Sequence, residues 1–209
     1  MNSRETILES IRTHLAASVA HDQYESVIPV PSPSRVPTTT SLVELFRQNV
    51  EAVNGHCVVA RDEAEITEAV TRIITDLGAR RIAISDAPVL QRLIRIADLE
   101  VAPSASDIFE FDAGITTAQA AIADTGTLVL DGARERHRLV SLVPPAHIAI
   151  VDASSIFQTL GEALAFIHKN GELSPAVTFI TGPSRTADIE LTLAIGVHGP
   201  QELHVIVCT

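Results

Sequence analysis

The stretch AVTFITGPSRTADIE, Ala176–Glu190, decides the fold. Its first five residues form a continuous apolar, β-prone run, the pattern of a strand buried on both faces. Gly182-Pro183 breaks that run, and the residues from Ser184 to Leu191 then predict a helix. Ser184 is placed to cap it. A helix start carries unpaired backbone N–H groups and the positive end of the helix dipole, both of which attract anions. Arg185 adds a charge-assisted donor suited to carboxylate or phosphate. Asp188 falls in the same early turn, where its charge suits the dipole. An ordinary capped helix after a strand gives the same pattern.

The alternation continues outward from this unit. Helices are predicted over Ser41–Asn54 (Ser41 as N-cap, Gly55 as stop), Asp62–Leu77 (capped by Asp62, closed by Gly78), Pro88–Ala97, Thr116–Ile122 and Ser154–His168. Strands are predicted at His56–Ala60, Arg81–Ser85, Thr127–Leu130, His147–Val151 and Leu203–Val207. Strands alternating with helices imply an α/β fold with a largely parallel sheet flanked by helices. An amphipathic helix over 3–19 and a proline-rich arm, IPVPSPSRVPTTT at 28–40, precede that pattern. The chain is read as an N-terminal helical arm over 1–40 and an α/β domain over 41–209. The arm packs on its own domain or on a neighbouring subunit, so a homo-oligomer is one expectation.

Hydrophobic residues make up 46% of the 209 residues, aromatics only 3%, so the core is aliphatic. The formal net charge of −11 argues against general nucleic-acid binding, which depends on Lys and Arg displacing counterions. Two cysteines, Cys57 and Cys208, are too few for an iron–sulfur cluster or an all-cysteine zinc site. No run approaches the ~20 consecutive apolar residues of a membrane span, and the polar N-terminus is no secretory signal. The expected location is the cytoplasm.

The familiar nucleotide, zinc and serine-hydrolase signatures are missing, among them G-x-G-x-x-G, the Walker A loop, H-E-x-x-H, C-x-x-C and G-x-S-x-G. Asp124-Thr125-Gly126-Thr127 matches the D-T-G-[ST] loop of aspartic proteases. Those need a second carboxylate and a β-rich fold, so the alternative is a helix-to-strand turn with Gly126 in a special conformation. Arg134, Arg136 and Arg138 are spaced by two and share one side if extended. They suit an anionic substrate, an acidic partner or a solvated tip. His198, in the glycine-flanked loop Gly196-Val-His-Gly-Pro200, is the histidine best placed to meet a ligand. The histidines show no pair at ligand spacing with a carboxylate beside it, so no metal site is assigned.

Taken together, ADTGTLVLDG, RLVSLVPPAHIAIV and TGPSRTADIELTLAIGVHGPQELHVIV resemble the lactate-utilisation protein C family with its LUD domain. The resemblance is strong over Gly114–Val207 and holds in layout from Ser41. Asp124 stands where the family more often has Glu, a carboxylate one methylene longer. The resemblance implies a fold akin to the ribose-phosphate isomerase, glucosamine-phosphate deaminase and CoA-transferase group. It also implies a part in oxidising L-lactate to pyruvate with iron–sulfur partner proteins. The chain shows no redox cofactor motif of its own, so it is read as a non-redox component whose electron carriers belong to partners. Gly126, Thr127, Arg138, Ser184 and Arg185 are the candidates to bind a small carboxylate. Asp124, Asp188 and His198 are the candidates for catalysis. The alternative is an autonomous enzyme on small phosphorylated sugars or CoA esters, with Asp124 or Asp188 as base or nucleophile.

Overall fold

The structure is a computed structural model that describes residues 3–18, 41–87, 90, 99–101, 107–132, 138–169, 176–186, 194–195 and 199–209. The chain divides into two compact units, Met1–Val36 and Pro37–Thr209. The first contains helix α1 (Ser3–Ser18), on which Ile7, Leu8 and Ile11 are exposed. The second carries the α/β elements.

A six-stranded parallel sheet forms its centre, in the order β1 (His56–Ala60), β12 (Glu202–Cys208), β7 (Ala146–Asp152), β4 (Ala113–Ala118), β2 (Ile82–Ile84), β3 (Leu99–Val101). The Ile- and Val-rich inner strands β2, β7 and β12 are apolar on both sides because both faces are covered, whereas edge strand β1 leaves Val58 and Val59 exposed. Helix α3 (Glu63–Leu77) covers one face, with Val70 and Ile73 packed against Ile82, Ile84, Ile115, Ile148 and Ile206. Local chemistry sets its ends. Asp62 accepts from the Glu65 N–H, and Gly78 closes the helix in the left-handed conformation at φ 62°. Helix α2 (Leu42–Ala52), capped by Ser41, covers the other face through Phe46 and Val50.

A second sheet lies beyond α2, in the order β8 (Ile156–Phe157), β5 (Ala120–Ile122), β6 (Thr127–Asp131), β9 (Val177–Thr181). It grows out of the first. The parallel β4–β7 pairing resumes as a parallel β5–β8 pairing, after Gln119 in one chain segment and a 3-10 turn at Ala153–Ser155 in the other. Helix α4 (Leu160–Lys169) covers the outer face through Ala163 and Ile167. A two-stranded ribbon, β10 (Arg185–Thr186) with β11 (Ala194–Ile195), completes the described elements.

Three predicted helices are corrected. Thr116–Ile122 is not helical but forms strands β4 and β5. Alanine favours helices locally, yet Ala118, Ala120, Ala121 and Ala123 are buried where small residues let layers approach. The predicted helix over Ser154–His168 starts only at Leu160. Its start is a capping box in which Glu162 accepts the N–H groups of Gln158 and Thr159. The helix predicted from Ser184 is replaced at Arg185–Thr186 by strand pairing with Ala194–Ile195. Residues 187–193 lie outside the described residues, as do the proline-rich arm and, apart from Leu90, the predicted helix Pro88–Ala97.

Candidate functional site

The turn Ala123–Gly126 joins β5 to β6, so the Asp-Thr-Gly-Thr loop is the tip of an antiparallel hairpin rather than a helix-to-strand turn. Gly126 has φ +64°, and a Cβ on it would lie 2.5 Å from the Val50 nitrogen and 2.6 Å from the Asn49 carbonyl carbon. Only glycine allows both the left-handed backbone and this approach to α2. Asn49 Nδ2 locks the contact by donating to the Ala123 carbonyl at 2.7 Å.

Cross-strand pairing brings the second motif alongside. Thr127 is the register partner of Thr181. Their hydroxyls lie 2.7 Å apart, and the Thr125 hydroxyl is 2.6 Å from that of Thr127, giving a chain of three. Gly182, at φ +75°, packs on the last turn of α2, where a Cβ would be 2.7 Å from the Val53 carbonyl oxygen. Arg185 returns to that oxygen, donating from Nη2 at 2.7 Å. Gly126, Thr127 and Arg185 thus gather around the C-terminal turn of α2. Asp124 sits at the same tip. Its backbone N–H donates to the Gln158 carbonyl at 3.1 Å. Its Oδ1 is buried with no hydrogen-bond partner among the described residues, a costly state for a carboxylate oxygen.

Ser184 does not cap a helix. Its N–H donates to the Pro200 carbonyl at 2.8 Å, and its side chain packs on Gly199, where a Cβ would be 3.0 Å from the Ser184 Cβ. The anion attraction expected of free helix N–H groups therefore does not arise at Ser184. Arg138 opens a 3-10 turn (Arg138–Ser141). Its Cδ lies 3.3 Å from where a Gly132 Cβ would stand. Gly132 follows β6, at the opposite end of that strand from Thr127, roughly 17 Å away along the strand. Asp188, His198, Arg134 and Arg136 lie outside the described residues.

A second polar group escaped the sequence reading. His147, on β7 in the centre of the parallel sheet, is fully buried. Its Nε2 lies 2.8 Å from the buried Thr116 hydroxyl on β4, while Nδ1 has no partner among the described residues. The buried Ser85 hydroxyl also lacks one, one residue beyond the Ile84–Ile115 register pair and so beside Thr116. Burial pushes His147 down to about 3, so it is neutral at physiological pH. Gly114, its register partner on β4, lets the Val140 backbone pack against the strand. A Cβ there would fall 1.9 Å from the Val140 carbonyl oxygen. The only sequence signal was a lone polar residue in an apolar strand, which does not reveal its partners.

The comparisons follow this geometry. A family model described as the LUD domain matches residues 43–208. A lactate utilization protein C of Geobacillus thermodenitrificans is 31% identical over 177 residues, 82% of this chain and 70% of that protein. One of Deinococcus radiodurans is 30% identical over 99% of this chain and 97% of that protein. The crystal structure of a DUF162 family protein from Deinococcus radiodurans superposes with TM-score 0.61 at 24% identity, over 80% of this chain and 96% of that one, and shows the same fold. The family model spans nearly all of the second unit, and the chain belongs to the LUD domain family, among relatives named lactate utilization protein C.

Proposed function

We propose that this protein serves lactate utilisation as a non-redox component of the system that converts L-lactate to pyruvate. The observation that carries this reading is the match to lactate utilization protein C relatives along nearly the full chain. Converting lactate to pyruvate removes two electrons and two protons, which needs a redox centre. The cysteines here suit no iron–sulfur cluster. Cys57 packs on the α2 side of the parallel sheet and Cys208 on the α3 side. Cys57 is the register partner of Val205, three residues from Cys208. The electron carriers accordingly belong to iron–sulfur partner proteins.

The site at the end of α2 suits a small 2-hydroxy or 2-oxo carboxylate. The Arg185 guanidinium is oriented by the Val53 carbonyl, and among the described residues its other N–H donors remain available to a carboxylate. The Thr125–Thr127–Thr181 hydroxyls supply donors and acceptors for the neighbouring oxygen. Asp124 offers a carboxylate at the same tip. Arg138, Asp188 and His198 are assigned no role in this geometry.

Two measurements test the proposal. Deleting the gene should abolish growth on L-lactate, and the tagged chain should co-purify with iron–sulfur proteins. Normal growth together with no such partner refutes the role. Thermal shift should show stabilisation by lactate or pyruvate, near 2.7 kcal/mol at about a hundred times Kd, and Arg185→Ala should abolish it. Stabilisation by sugar phosphates or CoA alone would favour an autonomous enzyme on those substrates.

A further inference from the structure

On the α3 face of the parallel sheet, at the N-terminal ends of edge strand β1 and its neighbour β12, a different chemistry is assembled. His56 on β1 and His204 on β12 are register partners, and their rings stack with centroids 4.8 Å apart and planes 20° off parallel. Glu202 lies two residues before His204, which on a strand puts both side chains on one face. Its Oε2 is 3.2 Å from His204 Nε2.

From this arrangement we infer that His56, Glu202 and His204 form a binding site for a divalent transition-metal ion, with zinc the natural probe. One potential ligand atom from each residue lies within 4.8 Å of the others. Two metal–ligand bonds of about 2.1 Å at a tetrahedral angle hold their ligand atoms roughly 3.4 Å apart. The Glu202–His204 pair already has that spacing. His56 is exposed, so a rotamer change can bring its nitrogen in.

The setting favours a cation. The His204 side chain is 14% exposed and that of Glu202 51% exposed. The site therefore has a shielded base and a solvent-facing edge where further ligands can enter. Asp76, in the last turn of α3, acts electrostatically on His204. Two imidazoles and a carboxylate suit zinc, nickel or copper rather than magnesium or calcium. The site is independent of the lactate reading, since it shares no residue with the Arg185 cluster.

The test uses the full chain, stripped with a chelator and titrated with Zn2+ by calorimetry and with Co2+ by visible absorbance. One ion per chain is expected, with a Co2+ spectrum of nitrogen and oxygen ligation. His56→Ala and Glu202→Gln change exposed positions. Each should weaken Zn2+ binding by at least the roughly 10- to 100-fold that loss of an outer-sphere partner costs. Circular dichroism verifies their fold. The absence of stoichiometric binding overturns the inference, as does unchanged affinity in either folded variant. Loss of binding on Cys57→Ser or Cys208→Ser overturns it as well, because the ion would then sit on a thiolate.

Discussion

Gly126→Ala and Gly78→Ala form a matched pair that isolates the packing of the hairpin tip on α2. Both glycines are left-handed, at φ +64° and +62°. A Cβ in that region costs about 1–2 kcal/mol, offset by about 0.4–1 kcal/mol from the less flexible unfolded chain. These contributions are the same at both sites. The surroundings differ. Among the described residues a Cβ at Gly78 meets nothing within 4 Å, whereas at Gly126 it meets α2 backbone at 2.5 and 2.6 Å. Those distances are about 1 Å inside normal contact, and backbone cannot rotate away. The tip and α2 must separate, which strains the Asn49–Ala123 hydrogen bond, worth about 1 kcal/mol. The overpacking itself costs about 1–3 kcal/mol. Gly126→Ala should therefore destabilise the protein by about 2–4 kcal/mol more than Gly78→Ala, or about 5–15 °C in Tm. The chain has no Trp, so urea unfolding is followed by far-UV circular dichroism. Equal losses in the two variants would refute the close packing of this turn on the helix.

His147 should make the protein acid-sensitive. Its buried ring stays neutral down to about 3 against an ordinary value of 6.5. As pH falls through 6.5 the unfolded chain takes up a proton that the folded one refuses. Stability is then lost toward pH 3 at up to about 1.4 kcal/mol per pH unit. Denaturant unfolding of His147→Leu should show a shallower loss between pH 7 and pH 5 than the parent, and identical slopes would refute the assignment. Burial likewise pushes the Cys57 thiol up to about 12 from 9.0. Its thiolate fraction at pH 8 is then roughly a thousandfold below that of an ordinary thiol. Native Cys57 should resist iodoacetamide and react only on unfolding, as read by peptide mass spectrometry; alkylation of the native chain at the unfolded rate would count against this.

Much of the domain was legible in local patterns. Helix α3 could be read to the residue because its signals are local, an Asp62 cap and a Gly78 stop. The strands at His147 and Leu203 were apparent because parallel strands buried on both faces are continuous apolar runs, and the edge strand at His56 kept an apolar run although Val58 and Val59 are exposed. Thr116–Ile122 misled for a tertiary reason. Its alanines are small because helix and sheet layers press on them, and composition alone reads small as helical. The Gly182-Pro183 turn was visible, but not what followed it. Arg185 and Thr186 form strand pairs with residues about nine positions later, a partnership without a local signal.

The site divides in the same way. The sequence by itself singled out residues with special chemistry: Gly126 for an unusual backbone conformation, Thr127 and the Asp124 carboxylate in the first motif, and Arg185 in the second. Tertiary structure decided their company. Register put Thr127 beside Thr181 and His56 beside His204, and helix packing turned Arg185 onto Val53. Strand alternation tells which face a side chain takes. Which strand lies next to it depends on chain crossings of fifty residues or more, as for Thr127 and Thr181, and no local propensity encodes those.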